Sequence, residues 1–110
     1  AIAAATIALG GCAAQKPSPP AGIEQKMESA STASDHNDIA LQYERQATVD
    51  AETAKRHLGY AATYRKNKSL RSGVQAHENL AKHCEALART YQQAADQNLA
   101  LAKLHRALPD

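Results

Sequence analysis

The chain has no tryptophan and no phenylalanine, and four tyrosines are its whole aromatic content in 110 residues. A core made this way comes from close approach of small side chains and not from large rings. Neither sign of charge dominates, with 13 basic against 11 acidic residues, so nothing points to nucleic acid. No uninterrupted apolar stretch reaches the roughly 20 residues that a bilayer-spanning helix needs. Two cysteines, Cys12 and Cys84, leave no Cys-x-x-Cys motif. A glycine-rich phosphate loop and a nucleophile elbow are missing as well, which removes the usual signals of nucleotide chemistry and acyl transfer. The four prolines are gathered at the ends, Pro17, Pro19 and Pro20 near the start and Pro109 near the finish. The length allows one small domain.

What is present is a strong period of seven. Ala33, Ala40, Ala47, Ala54 and Ala61 fall seven apart, and three residues beyond each stand His36, Tyr43, Asp50, His57 and Tyr64. The second half repeats the device: His77, Cys84, Tyr91, Asn98 and His105 at one phase, Ala81, Ala88, Ala95 and Ala102 at another, and Leu80, Leu87, Ala94, Leu101 and Leu108 beside them. Of the His, Tyr and Cys residues between 35 and 108, only Tyr60 and His83 lie off the two polar stripes. A sustained heptad keeps one seam of a helix facing a partner helix and implies left-handed supercoiling.

Helix boundaries follow from local chemistry. Ser34 or Asp35 can cap a first helix running over about 35–66, with Asp35 and Asp38 placing favourable charge in its first turn. Asn67 is a C-terminal stop. "KNKSLRSG" connects to a second helix over about 73–108, where Ser72 and Gln75 match a capping box and Pro109 ends the run. Glu52/Arg56, Glu78/Lys82 and Glu85/Arg89 are spaced for i,i+4 ion pairs. The predicted fold is therefore all-α: two long antiparallel helices forming an αα-hairpin with coiled-coil-like heptads, a helical unit over 34–108. Folding back about the connection pairs Tyr64 with His77, His57 with Cys84, Asp50 with Tyr91, Tyr43 with Asn98 and His36 with His105. Those pairs make a hydrogen-bonded polar layer in the seam, which buried polar groups need.

The N-terminus carries a different signal. "AIAAATIALGGCAAQ" is an apolar run of small residues ending in Leu9-Gly10-Gly11-Cys12. It resembles the end of a bacterial lipoprotein signal peptide, an apolar stretch followed by a lipobox. The usual Met and basic segment are missing, so 1–11 reads as a signal-peptide remnant. The resemblance implies cleavage before Cys12, lipidation of that residue, and anchoring on the periplasmic face of the bacterial envelope. Ala13 in place of Asp favours the outer over the inner membrane. Residues 12–33, rich in proline and serine, then read as a lipidated flexible tether, within which "GIEQKMES" can form a turn or two of helix. With Cys12 consumed, Cys84 is expected to be a lone thiol in an oxidising compartment.

Histidine and cysteine are soft-metal ligands, so His57, Cys84, His77, His36 and His105 are the candidates for a copper or zinc site. Helical metal sites draw ligand pairs from one helix at i,i+3 or i,i+4, and these residues lack that spacing. A Cys84–His57 dyad would lack an oxyanion hole, because a regular helix interior offers no free amides, so no enzyme activity is expected. Arg65, Lys66, Lys68 and Arg71 make the hairpin tip basic. The run His83-Cys84-x-x-Leu87-Ala88-x-x-Tyr91 resembles envelope helix-loop-helix proteins with spaced His and Tyr, a resemblance that brings no established activity. The leucine stripe is larger than an alanine-faced partner needs, so a homodimeric four-helix bundle or docking on another envelope protein is expected. The function expected is a non-enzymatic lipoprotein hairpin serving assembly at the membrane surface, with a periplasmic copper- or zinc-binding protein as the alternative.

Overall fold

The computed structural model describes residues 16–67 and 73–109. Three helices follow in order: α1 over Ile23–Ser29, α2 over Ala33–Lys66 and α3 over Gly73–Arg106. The two long helices, 34 residues each and so about 51 Å long, pack against one another as an α-hairpin. No helix among the described residues is long and apolar enough to cross a membrane. The lipobox, Ser72 of the expected capping box, and Lys68 and Arg71 of the basic tip lie outside the described residues.

Alanine makes the long contact possible. Ala40, Ala47, Ala54 and Ala61 of α2 are at most 4% exposed, as are Ala81, Ala88, Ala95 and Ala102 of α3. A methyl group at every heptad lets the two backbones come close, so that dispersion accumulates over the whole length in place of a few large anchors. Ile39, with Ala40, Tyr43 and Ala102, forms the largest side-chain cluster, at the open end of the hairpin.

Three boundaries differ from the sequence reading. Helix α2 starts at Ala33, and its cap is Thr32, two or three residues earlier than the Ser34 or Asp35 expected. Thr32 Oγ1 accepts from the Asp35 amide at 3.1 Å, and Asp35 Oδ2 accepts from the amides of Ser31 and Thr32 at 2.9 and 3.0 Å. Those backbone donors, followed by the Thr32 hydroxyl, hold the Asp35 carboxyl below its ordinary range. Asp35 thus serves as the reciprocal member of a capping box and not as the cap itself. Helix α3 stops at Arg106, two residues short of Leu108, whose amide bonds the His105 carbonyl at 3.2 Å.

The third difference is α1. The second half of the tether is folded chain: Gly22, in the left-handed region at φ 71°, turns into α1, and Ile23 is 4% exposed against Ile39, Ala40, Tyr43 and Ala102. One isoleucine docked in the open end of the hairpin pins a segment whose composition reads as linker.

Candidate functional site

The polar stripes of α2 and α3 meet in the seam. Tyr43, Asp50, His57, His77, Cys84 and Tyr91 are buried, and His36, Tyr64, Asn98 and His105 are half-buried. They do not simply face one another in the pairs expected. Tyr43 meets His105, Asp50 meets Asn98 and His57 meets Tyr91, each one heptad along from the pair expected, while His36 meets His105 as expected.

At the open end, His36 Nδ1 and His105 Nδ1 approach to 3.1 Å with the rings 24° from coplanar, a pair that forms as expected. One Nδ1–H donates and the other nitrogen accepts. Tyr43 lies on His105 with centroids 5.8 Å apart, so its expected partner Asn98 is free for another contact. Burial, with His36 adding repulsion, lowers the His105 imidazole, and burial raises the Tyr43 phenol.

Asn98 instead donates to Asp50 Oδ2 at 3.0 Å, and Gln46 donates to Asp50 Oδ1 at 3.1 Å. This replaces the expected Asp50–Tyr91 pair. Tyr91 stacks on His57 with centroids 5.6 Å apart at 18°, and Tyr60 meets the same imidazole edge-on at 5.4 Å and 87°. Burial first, then the charge of Arg56, lowers His57. Cys84 is fully buried with Ala61 and Ala81, and Tyr64 packs on that cluster. Among the described residues no cysteine is a free thiol, Cys84 included. The lone-thiol expectation is therefore corrected: the sulfur is neither an available ligand nor a nucleophile in this state. His77 Nε2 is buried without a hydrogen-bond partner, next to a hollow of about 230 Å³ between Arg65, Val74, His77 and Glu78. A hollow of that size, with Arg65 and Glu78 at its edge, has room for water.

Of the five metal candidates, the structure brings His36 and His105 within bonding reach of one another. No group of three or more His, Cys, Asp or Glu side chains suited to a metal ion occurs among the described residues.

Sequence reasoning missed the clamps on one side of the seam. Arg65 bonds Glu78 Oε1 and Oε2 at 2.9 and 3.1 Å and also bonds Glu85, while Arg106 holds both oxygens of Glu44 at 2.9 Å. Glu78 and Glu85 were assigned local partners, Lys82 and Arg89. The bidentate fork of Arg65 reaches them across the hairpin instead, and Arg56 turns to Thr53 Oγ1 at 3.1 Å. The same bonds hold Glu44 and Glu78 below the ordinary carboxylate range. The signal was available: Glu44, Arg65, Glu78, Glu85 and Arg106 each follow a polar-stripe residue by one position.

No family model, no curated protein and no solved structure matches this chain.

Proposed function

We propose that the protein is a lipid-anchored, non-enzymatic α-hairpin of the bacterial envelope that serves as an assembly subunit at the membrane surface. The observation that carries the reading is the order of parts. Leu9-Gly10-Gly11-Cys12 is followed at once by a proline- and serine-rich segment and then by a hairpin with apolar side chains left outside. Two acyl chains anchor where one does not, so lipid on Cys12 would supply stable attachment without a spanning helix. The hairpin is then held near the membrane with its faces open to a partner. Its polar seam is filled by its own side chains, which argues for a binding role on the outer faces and against chemistry within.

The test is intact mass and fractionation of the native protein. A chain beginning at Cys12 with lipid mass, found in the membrane fraction, is expected, and Cys12→Ser should release it to the soluble fraction. Lipid and disulfide are exclusive uses of the one Cys12 sulfur. An unlipidated chain, or one with Cys12 linked to Cys84, overturns the anchoring.

The 3.1 Å approach of His36 and His105 favours a second reading at that point, a small copper- or zinc-binding protein. Two nitrogens at this separation fit one ion at bond lengths of about 2.0–2.1 Å, with the remaining positions left to solvent or another molecule.

A further inference from the structure

The two sides of the hairpin differ in chemistry. Residues one position after a polar-stripe residue are rotated about 100° from it, and residues three positions after are rotated about 60° the other way. The first set, on both helices, carries the Arg65–Glu78, Arg65–Glu85 and Arg106–Glu44 clamps. The second set, on the opposite side, is Gln46, Thr53 and Tyr60 of α2 and the row Leu80, Leu87, Ala94, Leu101 and Leu108 of α3 and its end. None of the ion pairs between α2 and α3 lies on this side among the described residues.

The row is half sunk. Leu87 rests its inner edge on Ala54, Ala88 and Tyr91, yet Leu80 and Leu101 are each 37% exposed, Leu108 44% and Tyr60 47%. Val49 and Leu104, the next residues outward on this side, are exposed by half or more. From Leu80 to Leu101 the row runs about 32 Å along the helix. Charge is sparse along it. Arg56, at the margin, is folded back on Thr53.

We propose that this side is the seat of a second copy of the same chain, the two hairpins packing leucine row on leucine row about a two-fold axis to give a four-helix bundle. Three observations choose a second copy over another partner. The row is a palindrome, Leu-Leu-Ala-Leu-Leu. A two-fold axis at Ala94 therefore sets Ala94 on Ala94 and Leu87 opposite Leu101, as an isologous interface requires, with Leu80 facing the chain just past the end of α3, where Leu108 stands. The alanine at the centre permits close approach, and the leucines on either side fill the widening space. The period also matches: a heptad row stays in register only with a helix of the same supercoil, which an identical chain supplies. Finally, the area is adequate. A face about 51 Å long and two helices wide, about 18 Å, offers about 900 Å², against about 800 Å² per partner in a stable complex.

This deepens the assembly reading by naming the partner, and it does not depend on the lipid, so it is tested on the full chain carrying Cys12→Ser. Sedimentation equilibrium from 1 to 100 µM, ranges typical of such interfaces, should give twice the 11.7 kDa chain mass. Ala94→Glu places two carboxylates face to face on the axis and should weaken the dimer roughly 100-fold with the helical circular dichroism retained. Leu58→Glu, on the clamped side, should leave it intact. Ala94→Cys should form an interchain disulfide with itself under mild oxidation, and Leu101→Cys should cross-link to Leu87→Cys in preference to itself. A chain that stays monomeric at the highest concentration overturns the proposal. So does cross-linking through Leu58→Cys in place of Ala94→Cys, or a monomer that sediments with phosphatidylglycerol vesicles.

Discussion

Replacing Asn98 by leucine should destabilise the hairpin, and replacing Asp50 in the same chain should restore it. Asp50 is 2% exposed and accepts two bonds, from Gln46 and from Asn98. A hydrogen bond to a charged group contributes about 1.5–3 kcal/mol, and losing a donor leaves its acceptor desolvated and unpaired. Asn98→Leu removes the donor to Oδ2 while the carboxylate stays buried, so the cost is about 2–3 kcal/mol. Asp50→Leu alone leaves the Asn98 amide, which is half-buried and can turn to water, at a cost of about 1 kcal/mol or less. In the double variant neither polar group remains, and an apolar pair of similar volume fills the layer, with stability within about 0.5 kcal/mol of the parent. The coupling energy is then about 3 kcal/mol. The assay is urea unfolding by circular dichroism at pH 7 and one fixed protein concentration, since association shifts apparent stability. For a domain of this size Asn98→Leu should lower Tm by about 8–20 °C. If the singles sum to the double within about 0.5 kcal/mol, or if Asn98→Leu costs less than that, Asp50 does not depend on Asn98 and the reasoning fails.

Two further outcomes follow from the histidines. Burial lowers His57 and His105, so on acidification the unfolded chain takes up protons first and the folded state is penalised. Stability is full above about pH 6.5 and falls as pH drops toward the folded values; Tm should be lower at pH 5.0 than at 7.5, His105→Asn should shrink the difference, and a flat profile refutes the burial argument. Stoichiometric zinc or Cu(I) at pH 7.5 should raise the Tm of the parent and not that of His105→Asn if the His36–His105 pair holds an ion, and no shift at 100-fold excess removes the metal reading.

The hairpin was legible because its information is periodic: Ala40 to Ala61 and Ala81 to Ala102 repeat at seven, and a period survives ignorance of the partner. The contents of the seam were legible for the same reason, but the pairings were not. Which of two α3 residues seven apart meets Asp50 depends on the axial offset of the helices, which the heptad leaves undetermined. Side-chain reach decides it: the short Asn98 amide reaches the carboxylate, and the flat Tyr91 ring takes the face of His57 instead. The Arg65 clamp was hidden by a nearer answer, since Glu78 and Glu85 already had basic residues at i+4. An arginine in the last turn of α2 satisfies both at once, with two forked bonds to Glu78. The cap was hidden differently, by attention to serine over the Thr32-x-x-Asp35 pattern beside it. The docking of α1 had no local signal at all, because the burial of Ile23 exists only once Ile39 and Ala102 are brought to the same end.

Taken together, these contacts assign different work to the parts of the hairpin. The seam is occupied: its alanines are buried, Asp50 is held by Gln46 and Asn98, and His57 is stacked on Tyr91, so the seam is packed by its own side chains. On the clamped side the carboxylates of Glu44, Glu78 and Glu85 are taken by arginines of the same chain, with Leu58 and Leu99 standing exposed beside them. The leucine row is not explained as core alone, because Leu80, Leu101 and Leu108 keep an exposed outer edge in this hairpin. An exposed apolar row of this length on a small alanine-rich domain costs solubility unless it is covered. It is also spaced at seven and symmetric about Ala94, neither of which simple water exclusion would require. Both features are what a second helix pair of the same period needs. The side of the molecule that contributes least to the fold is thus the side whose pattern is most specific, and a row of that kind answers to a partner.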